Sequence, residues 1–369
     1  MRKLGSGSEY VYFAMTEELA RQIRSGVLRP GERIASENAL AQIYGISRRS
    51  VREGLACLAR EGLVVAHAGK GSFVAERPEI SKEAGVVALV VPDVDDAFIS
   101  EVCKGVQTAL AARGMRMVIQ SSGRNFSGER AAIDYWLGRG VAGVILFPVS
   151  SGRGIENVFR LCSFKVPFVL IDRYFRDLET DCVVVDNYQG GMDAVAHLID
   201  SGCRRIAHIQ GTGVTANVDR FEGYRDGLAA AGMVYDQSLV RRLPPGFQAA
   251  DERFEPDVNW GREAMRSLLE SGAAPDALFA GNDYIALGAL RTMREAGVRV
   301  GDDIAVVGFD DLKFVSLLDT PLSTVRQPKQ RIGEEAVALL AGRIGGQRGA
   351  APERVVLPTE LIVRESSRR

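Results

Sequence analysis

Histidine and cysteine are scarce in this chain of 369 residues, with three of the first and five of the second. Cys57, Cys103, Cys162, Cys182 and Cys203 are odd in number, scattered, and form no CxxC pair. That spacing excludes a disulfide framework and a structural zinc site, and it fits reduced thiols. His67, His197 and His208 are far apart, each reading as a wing, helix or strand residue rather than a ligand or base. There is no Ser/His/Asp order and no GxSxG nucleophile elbow, so acyl-transfer chemistry has no visible machinery. No apolar run approaches the ~20 residues of a membrane span, and the start lacks a charged-then-apolar leader. The expectation is a cytoplasmic protein with no membrane partner, no metal site and no cofactor.

Strong net charge is missing as well: the chain sums to −1. That total conceals an asymmetry. Through Ala75 there are 11 Lys+Arg against 7 Asp+Glu; beyond it there are 35 against 40. A mildly basic head on an acidic body suits a local nucleic-acid contact and argues against general polyanion binding. The length allows two or three domains with substantial cores.

What is present is most explicit between Ile34 and Ala75. Ser36 predicts a helix cap, with Leu40 and Ile43 on one side of the helix that follows. Tyr44-Gly45-Ile46 breaks that helix, and Ser47 caps a second. In the second helix Val51, Leu55 and Leu58 form one buried stripe, while Arg49 and Arg52 project elsewhere with Arg48 on the flank. Strands at Val64–Ala66 and Ser72–Ala75 are joined by the tight turn Ala68-Gly69-Lys70-Gly71. Together these make a winged helix-turn-helix whose arginines suit phosphates and guanine edges. A solvated charged face is the bland alternative for Arg48, Arg49 and Arg52; the cap, turn and wing around them favour DNA.

The run PGERIASENALAQIYGISRRSVREGLACLAREGL with GKGSFV resembles the gluconate-repressor (GntR) class of bacterial DNA-binding domains. The likeness spans about Tyr12 to Ala75 and includes a preceding helix with Met15, Leu19 and Ile23. Asn38 departs from it, standing where that class often has a DNA-contacting arginine. Asparagine can still bond a phosphate or an adenine edge but brings no charge. The DNA-facing set is then Ser36, Asn38, Ser47, Arg48, Arg49, Ser50, Arg52, Gly69, Lys70 and Gly71, on a domain of residues 10–75. Residues 76–84, polar and containing Pro78, read as a linker.

From residue 85 to 369 short apolar strands alternate with amphipathic helices: VVALVVP, GVILFPV, FVLID, RIAHIQG, ALFAGN and IAVVGFD mark the strands. That texture predicts an α/β fold with parallel sheets covered on both faces, and the strand count predicts two sheets. Ligands in such folds sit beyond the carboxyl ends of strands, and those ends carry polar residues. Asp93, Asp96 and Phe98 follow the first strand; Asp172 and Arg173 follow FVLI; Asn282 and Asp283 follow ALFA; Asp310 and Asp311 follow IAVVGF. Arg220 comes after IAHIQG and is expected to open a helix. Such a set can bind a polyhydroxylated ligand.

VPDVDDAF, GVILFP, VVVDNYQGG, HLIDSGCRRIAHIQG, DRFEGYRDGL, ALFAGNDYIALGALR, DDIAVVGFDD and PLSTVRQP together resemble the LacI/GalR effector domain. The resemblance implies the periplasmic-binding-protein type I fold over about Gly85 to Arg364, with two subdomains hinged around a sugar-sized cleft. It implies chain crossings near Asp186 and Gln327, and ligand contacts from Asp172, Arg173, Arg220, Asn282, Asp310 and Gln327. It also implies stacking by Phe98 and by Phe247 or Phe254, and the expected ligand set includes Phe254 beside Asp93 and Asp96. The combination resembles arabinose-repressor-type regulators. It implies a homodimeric repressor whose operator binding is relieved by a sugar or sugar derivative.

Blander meanings cover the remaining motifs. Gly211-Thr212-Gly213 has Ala216 where a dinucleotide loop needs its third glycine, so it reads as a strand-end turn. Asp310-Asp311 and the Asp93/Asp95/Asp96 group have no His or Cys partner for a metal, and sugar-hydroxyl acceptance explains Asp310 better than catalysis. Two rivals stand against the regulator: a sugar-transport protein, opposed by the winged head, and a sugar-processing enzyme, for which no acid–nucleophile pair is visible.

Overall fold

The structure, a computed structural model, describes residues 15–16, 18–20, 22–23, 27–60, 63–67, 70–75, 85–150, 154–244, 247, 256–346 and 351–368. Gly69, Phe254 and the expected linker 76–84 lie outside them. The chain forms two compact units, residues 1–81 and 82–369.

In the first unit α1 (Glu37–Tyr44) starts at Ser36, whose hydroxyl accepts from Ala39 N at 3.2 Å. It stops at Gly45, which takes φ 65° and donates its N–H to Ala41 O, a left-handed cap that glycine adopts without a steric penalty. Helix α2 (Arg48–Arg60) starts at Ser47, whose hydroxyl accepts from Ser50 N at 3.1 Å. Val51, Leu55 and Leu58 face inward at 0%, 6% and 0% exposure, against Met15, Leu19 and Leu40. Ile43, expected beside Leu40, is 68% exposed. The inward side of the helix is made instead by Leu40 with Ala41 and Tyr44, which are partly buried against the same cluster.

Strands β1 (Val64–His67) and β2 (Gly71–Val74) pair antiparallel, Val64 opposite Val74. The first strand starts at Val64 as expected but runs one residue past Ala66, and the second starts one residue before Ser72 and stops one before Ala75. Arg33 bridges to Phe73, and Ile34 N reaches Ser72 O at 2.9 Å, so the wing has a third edge.

The second unit holds two six-stranded sheets. Sheet I runs β13-β7-β6-β5-β3-β4 with every pair parallel. Its members are β3 (Val86–Val91), β4 (Arg116–Ser121), β5 (Gly143–Leu146), β6 (Phe168–Ile171), β7 (Cys182–Val185) and β13 (Arg354–Leu357). Sheet II runs β14-β12-β11-β10-β8-β9, parallel except for β14. It contains β8 (Ile206–Gln210), β9 (Val240–Arg242), β10 (Ala277–Ala280), β11 (Ala305–Asp310), β12 (Ser323–Arg326) and β14 (Glu360–Ile362).

Strand periodicity shows why both faces must be covered. Along β3, Val87, Leu89 and Val91 enter one core and Ala88 and Val90 another; along β10, Leu278 and Ala280 part from Ala277 and Phe279 in the same way. The helices that supply those cores are α3 (Ala97–Ala111), α4 (Phe126–Gly138), α5 (Ile155–Phe164), α6 (Asn187–Asp200), α7 (Thr215–Ala230), α8 (Pro256–Glu270), α9 (Asp283–Glu295) and α10 (Lys329–Ile344).

The chain passes between the sheets at three places: after β7 at Asp186, after β12 at Gln327, and between β13 and β14 at Pro358-Thr359. The third was not anticipated, because β13 and β14 are too short to give a periodic signal. No helix of the described residues is long and apolar enough to cross a membrane.

Candidate functional site

Three arginines share the exposed face of α2. The side chains of Arg48, Arg49 and Arg52 are 63%, 90% and 68% exposed. Arg49 Nε donates to Glu53 Oε1 at 3.1 Å, one turn along its own helix. Arg52 forks onto Glu37, the first residue of α1, with Nε to Oε1 at 3.3 Å and Nη2 to Oε2 at 2.9 Å. Arg48 comes within 4.0 Å of the same carboxylate. The Arg52 hydrogen bond, ahead of opposing burial and the charges of Arg52 and Arg48, draws the Glu37 carboxyl below its usual range.

Asn38 and Ser36 are exposed beside that cluster, while Ser47 and Ser50 bond to each other's hydroxyls at 2.9 Å. Lys70 and Gly71 are exposed at the wing tip. Gly71 takes φ 107°, and a Cβ there would meet Arg33 Nε at 3.3 Å, so a side chain at Gly71 is strained by both backbone and space.

In the second unit a cleft opens between the carboxyl ends of the two sheets. Its void is about 100 Å³, lined by residues that include Asp96, Phe98, Asp172 and Arg173 from one side and Arg220, Asn282 and Asp310 from the other, with Gln327 at a crossing. Ligand sites usually offer ~300–1,000 Å³, so the walls here stand nearly together. Ala97 N donates across the gap to the Tyr284 hydroxyl at 3.4 Å.

Asp172 and Asp310 occupy closely matching places: Asp172 directly follows the fourth strand of its sheet in chain order, and Asp310 is the last residue of the fourth strand of the other. Both adopt positive φ, 65° and 115°. Non-glycine residues held there cost ~1–3 kcal/mol each, and such residues cluster at ligand sites. Asp310 Oδ1 accepts from Gln327 Nε2 at 2.6 Å and stands 3.6 Å from Arg220 Nη2. Burial pushes the Asp310 carboxyl up to about 7, against the opposing pull of Arg220, Lys329 and the Gln327 bond. Burial likewise raises Asp172, opposed by Arg173 and Arg220.

Arg220 is the most enclosed cation of the cleft. Its Nε donates to Asn187 Oδ1 at 2.8 Å, its Nη1 donates to Gly281 O at 2.7 Å, and its guanidinium lies 3.7 Å over the Phe309 ring. It does not open its helix: α7 starts at Thr215, so Arg220 emerges from the second turn. Gly191 permits this, since a Cβ there would sit 2.5 Å from Arg220 O. Arg173 donates Nη1 to Pro148 O at 2.6 Å, approaches Asp172 at 3.4 Å and covers Phe147 at 4.7 Å.

Asn282 caps α9, accepting from Ile285 N at 2.8 Å, and its amide donates to Asp257 at 2.6 Å. Phe98 stands edge-on to Phe147, centroids 6.1 Å apart. Asp96 caps α3, accepting from Phe98 N at 2.8 Å.

Three expected residues are placed elsewhere. Asp93 lies behind the cleft wall and accepts Arg124 Nε at 3.0 Å. Asp283 is wholly buried under the floor, accepting from Leu312 N at 2.8 Å and Thr324 Oγ1 at 2.6 Å. Phe247 packs on Trp260 with centroids 5.5 Å apart, and Trp260 in turn donates to Gln210 O at 2.8 Å. Arg124, Phe147, Asn217, Asp257 and Tyr284 line the cleft without having been foreseen. Of these Asp257 carried a signal: Pro256 stands at the first helical position and an acid follows it, a helix-opening pattern.

Comparison with known proteins follows the same division. Residues 12–74 match the bacterial regulatory proteins of the gntR family, and residues 195–367 match the periplasmic binding protein-like domain. The arabinose metabolism transcriptional repressor of Geobacillus stearothermophilus is 27% identical over 97% of each chain. The HTH-type transcriptional regulator CelR of Thermobifida fusca is 35% identical over 79% of this chain and 84% of its own. A solved complex of the transcriptional regulator CelR with cellobiose matches 90% of this chain and 100% of its own, at 30% identity and a TM-score of 0.69. The chain thus belongs to the HTH-type transcriptional regulators of bacteria, with a gntR-type head ahead of a LacI-type, periplasmic-binding-protein-like domain.

Proposed function

We propose that the exposed face of α2 and the wing bind an operator, and that a sugar in the cleft between the sheets controls that binding. The protein acts in the cytoplasm as a homodimeric repressor released by its effector. One observation carries the reading. Hydrogen-bonding groups from both sheets and from a crossing segment converge on one cleft, and two of them, Arg173 Nε, which is 3.4 Å from Asp172, and Gln327 Oε1, are buried with no well-aligned hydrogen-bond partner among the described residues. A sugar hydroxyl can accept from the first and donate to the second. Buried polar atoms left unpaired are costly, which favours a ligand that pairs them.

The charged groups of the cleft are engaged mainly with one another, an arrangement suited to binding rather than turnover. The Asn38 position, the serines at the helix starts and the wing residues Gly69, Lys70 and Gly71 complete the proposed DNA surface. Gel shifts on the DNA upstream of the protein's own gene, with and without a panel of sugars, test the whole proposal. A retarded band that one sugar releases is the expected result. Retardation indifferent to every sugar, or no retardation by the folded protein, would remove it.

A further inference from the structure

The cleft's charges are unevenly matched. Arg124 is held by Asp93, Arg173 stands beside Asp172, and Arg220 stands beside Asp310 while also donating to Asn187 and Gly281. Two further carboxylates face the same space with no ion pair among the described residues: Asp96 at the start of α3, beside sheet I, and Asp257 in the first turn of α8, beside sheet II. Each spends one bond on the protein, Asp96 on Phe98 N and Asp257 on the Asn282 amide. The rest of their acceptor capacity is open to the ligand. Burial, with Asp257 and Asp172 adding to it against Phe98 N and Arg124, raises the Asp96 carboxyl. A negative charge is thus already unwelcome here.

An entering phosphate or carboxylate would meet this surplus with every cleft arginine already beside a carboxylate, and like charges brought together in a site shielded from water repel strongly. Neutral hydroxyls bring donors for Asp96 and Asp257 and an acceptor for Arg173 Nε. We propose that the effector is a sugar rich in hydroxyl donors and free of phosphate and carboxylate groups, and that Asp257, opposite Asp96, is the residue that turns away phosphorylated and acidic sugars. This rests on the sugar-sensing reading above.

Calorimetric titration of the full chain with neutral pentoses and hexoses, the matching 6-phosphates and uronates tests it, in the wild type and in Asp257→Asn. Asparagine keeps an oxygen that accepts from the Asn282 amide, and a melting curve confirms folding. The wild type should bind a neutral sugar at least ten-fold more tightly than its phosphate or uronate. In Asp257→Asn that gap should narrow by ten-fold or more, while the neutral sugar weakens only several-fold. A phosphate or uronate that binds the wild type as tightly as any neutral sugar overturns the ligand class. A gap that Asp257→Asn leaves unchanged overturns the role of Asp257. If the folded wild type binds no member of the panel, the sugar-sensing reading itself fails, a result distinct from the other two.

Discussion

On α2 the side chains of Arg48, Arg49 and Arg52 keep 63%, 90% and 68% of their surface in water, whereas in the cleft Arg173 keeps 19% and Arg220 only 5%. The exposed three have single carboxylate partners or share one. Arg220 has an amide oxygen, a backbone carbonyl, a carboxylate and an aromatic ring around it. An exposed pair contributes little to folding and exchanges partners easily, so its arginine is available to an incoming phosphate or base. A buried pair is costly to break, because the partner left behind has lost its water. The same guanidinium is therefore a free binding group in one unit and part of the scaffold in the other.

That contrast fails most visibly at Arg220 if it is wrong. Arg220→Ala should lower the stability of the second unit by about 3–5 kcal/mol, the scale for removing one partner of a buried charged pair, and raise the Kd for sugar at least ten-fold. Urea unfolding and calorimetry read the two effects. Arg52→Ala should weaken operator binding about ten- to hundred-fold, the scale of a lost base or phosphate contact, with an unchanged unfolding midpoint. An Arg220→Ala protein as stable as wild type, or an Arg52→Ala protein that melts early, would erase the distinction between the two sets.

Part of this was legible in the chain and part was not. The apolar strands were plain because VVALVV, CVVV and AVVGF are short runs without a charged or polar side chain and rich in valine, and their polar ends followed from where such runs stop. The caps Ser36 and Ser47 were legible for the same local reason. The start of α7 was not: the buried face of the helix carries Thr215, Asn217, Arg220, Gly223 and Gly227, polar residues and glycines that give no apolar stripe. Asp283 and Asp310 look alike in sequence, each at a strand end, yet one is sealed beneath the floor and the other lines the cleft. Only packing separates them. Pairing between distant segments, such as Glu37 with Arg52 or Arg220 with Asn187, has no local signature either.

The next effect is one of acidity. Asp310, raised to about 7 mainly by burial, holds its proton longer in the folded protein than an ordinary carboxyl near ~3.9. Its contribution to stability is thus greatest at low pH and is lost as pH rises through 7, the reverse of a salt-bridged carboxylate. Sugar hydroxyls donate to the ionised form, so affinity should rise from pH 6 to 8. It should be about ten-fold weaker at pH 6 than at the plateau, as expected one unit below a single titration. Binding near pH 7 should release a proton, visible as a heat that changes with the buffer's ionisation enthalpy. Asp310→Asn should flatten the profile; a flat profile in the wild type would show that Asp310 does not govern the site.

The smallest expected effect is on the exposed side, at Glu37. Its carboxylate holds Arg52 by two bonds and approaches Arg48 at 4.0 Å, at the junction of the two helices. While it is in place, Arg52 is presented as an oriented fork and part of the local positive charge is cancelled. Orientation favours base reading, and cancelled charge disfavours indiscriminate phosphate contact. Glu37→Gln should free both arginines, raising affinity for random-sequence duplex a few-fold and steepening its salt dependence by about one in log–log slope. Operator affinity should change little or fall, so the ratio of specific to non-specific binding drops. Titrations of both duplexes across ~50–200 mM salt measure that ratio directly. If Glu37→Gln leaves both slopes and the ratio where they were, the exposed pairs are inert, and the arginines of α2 owe nothing to the residue they touch.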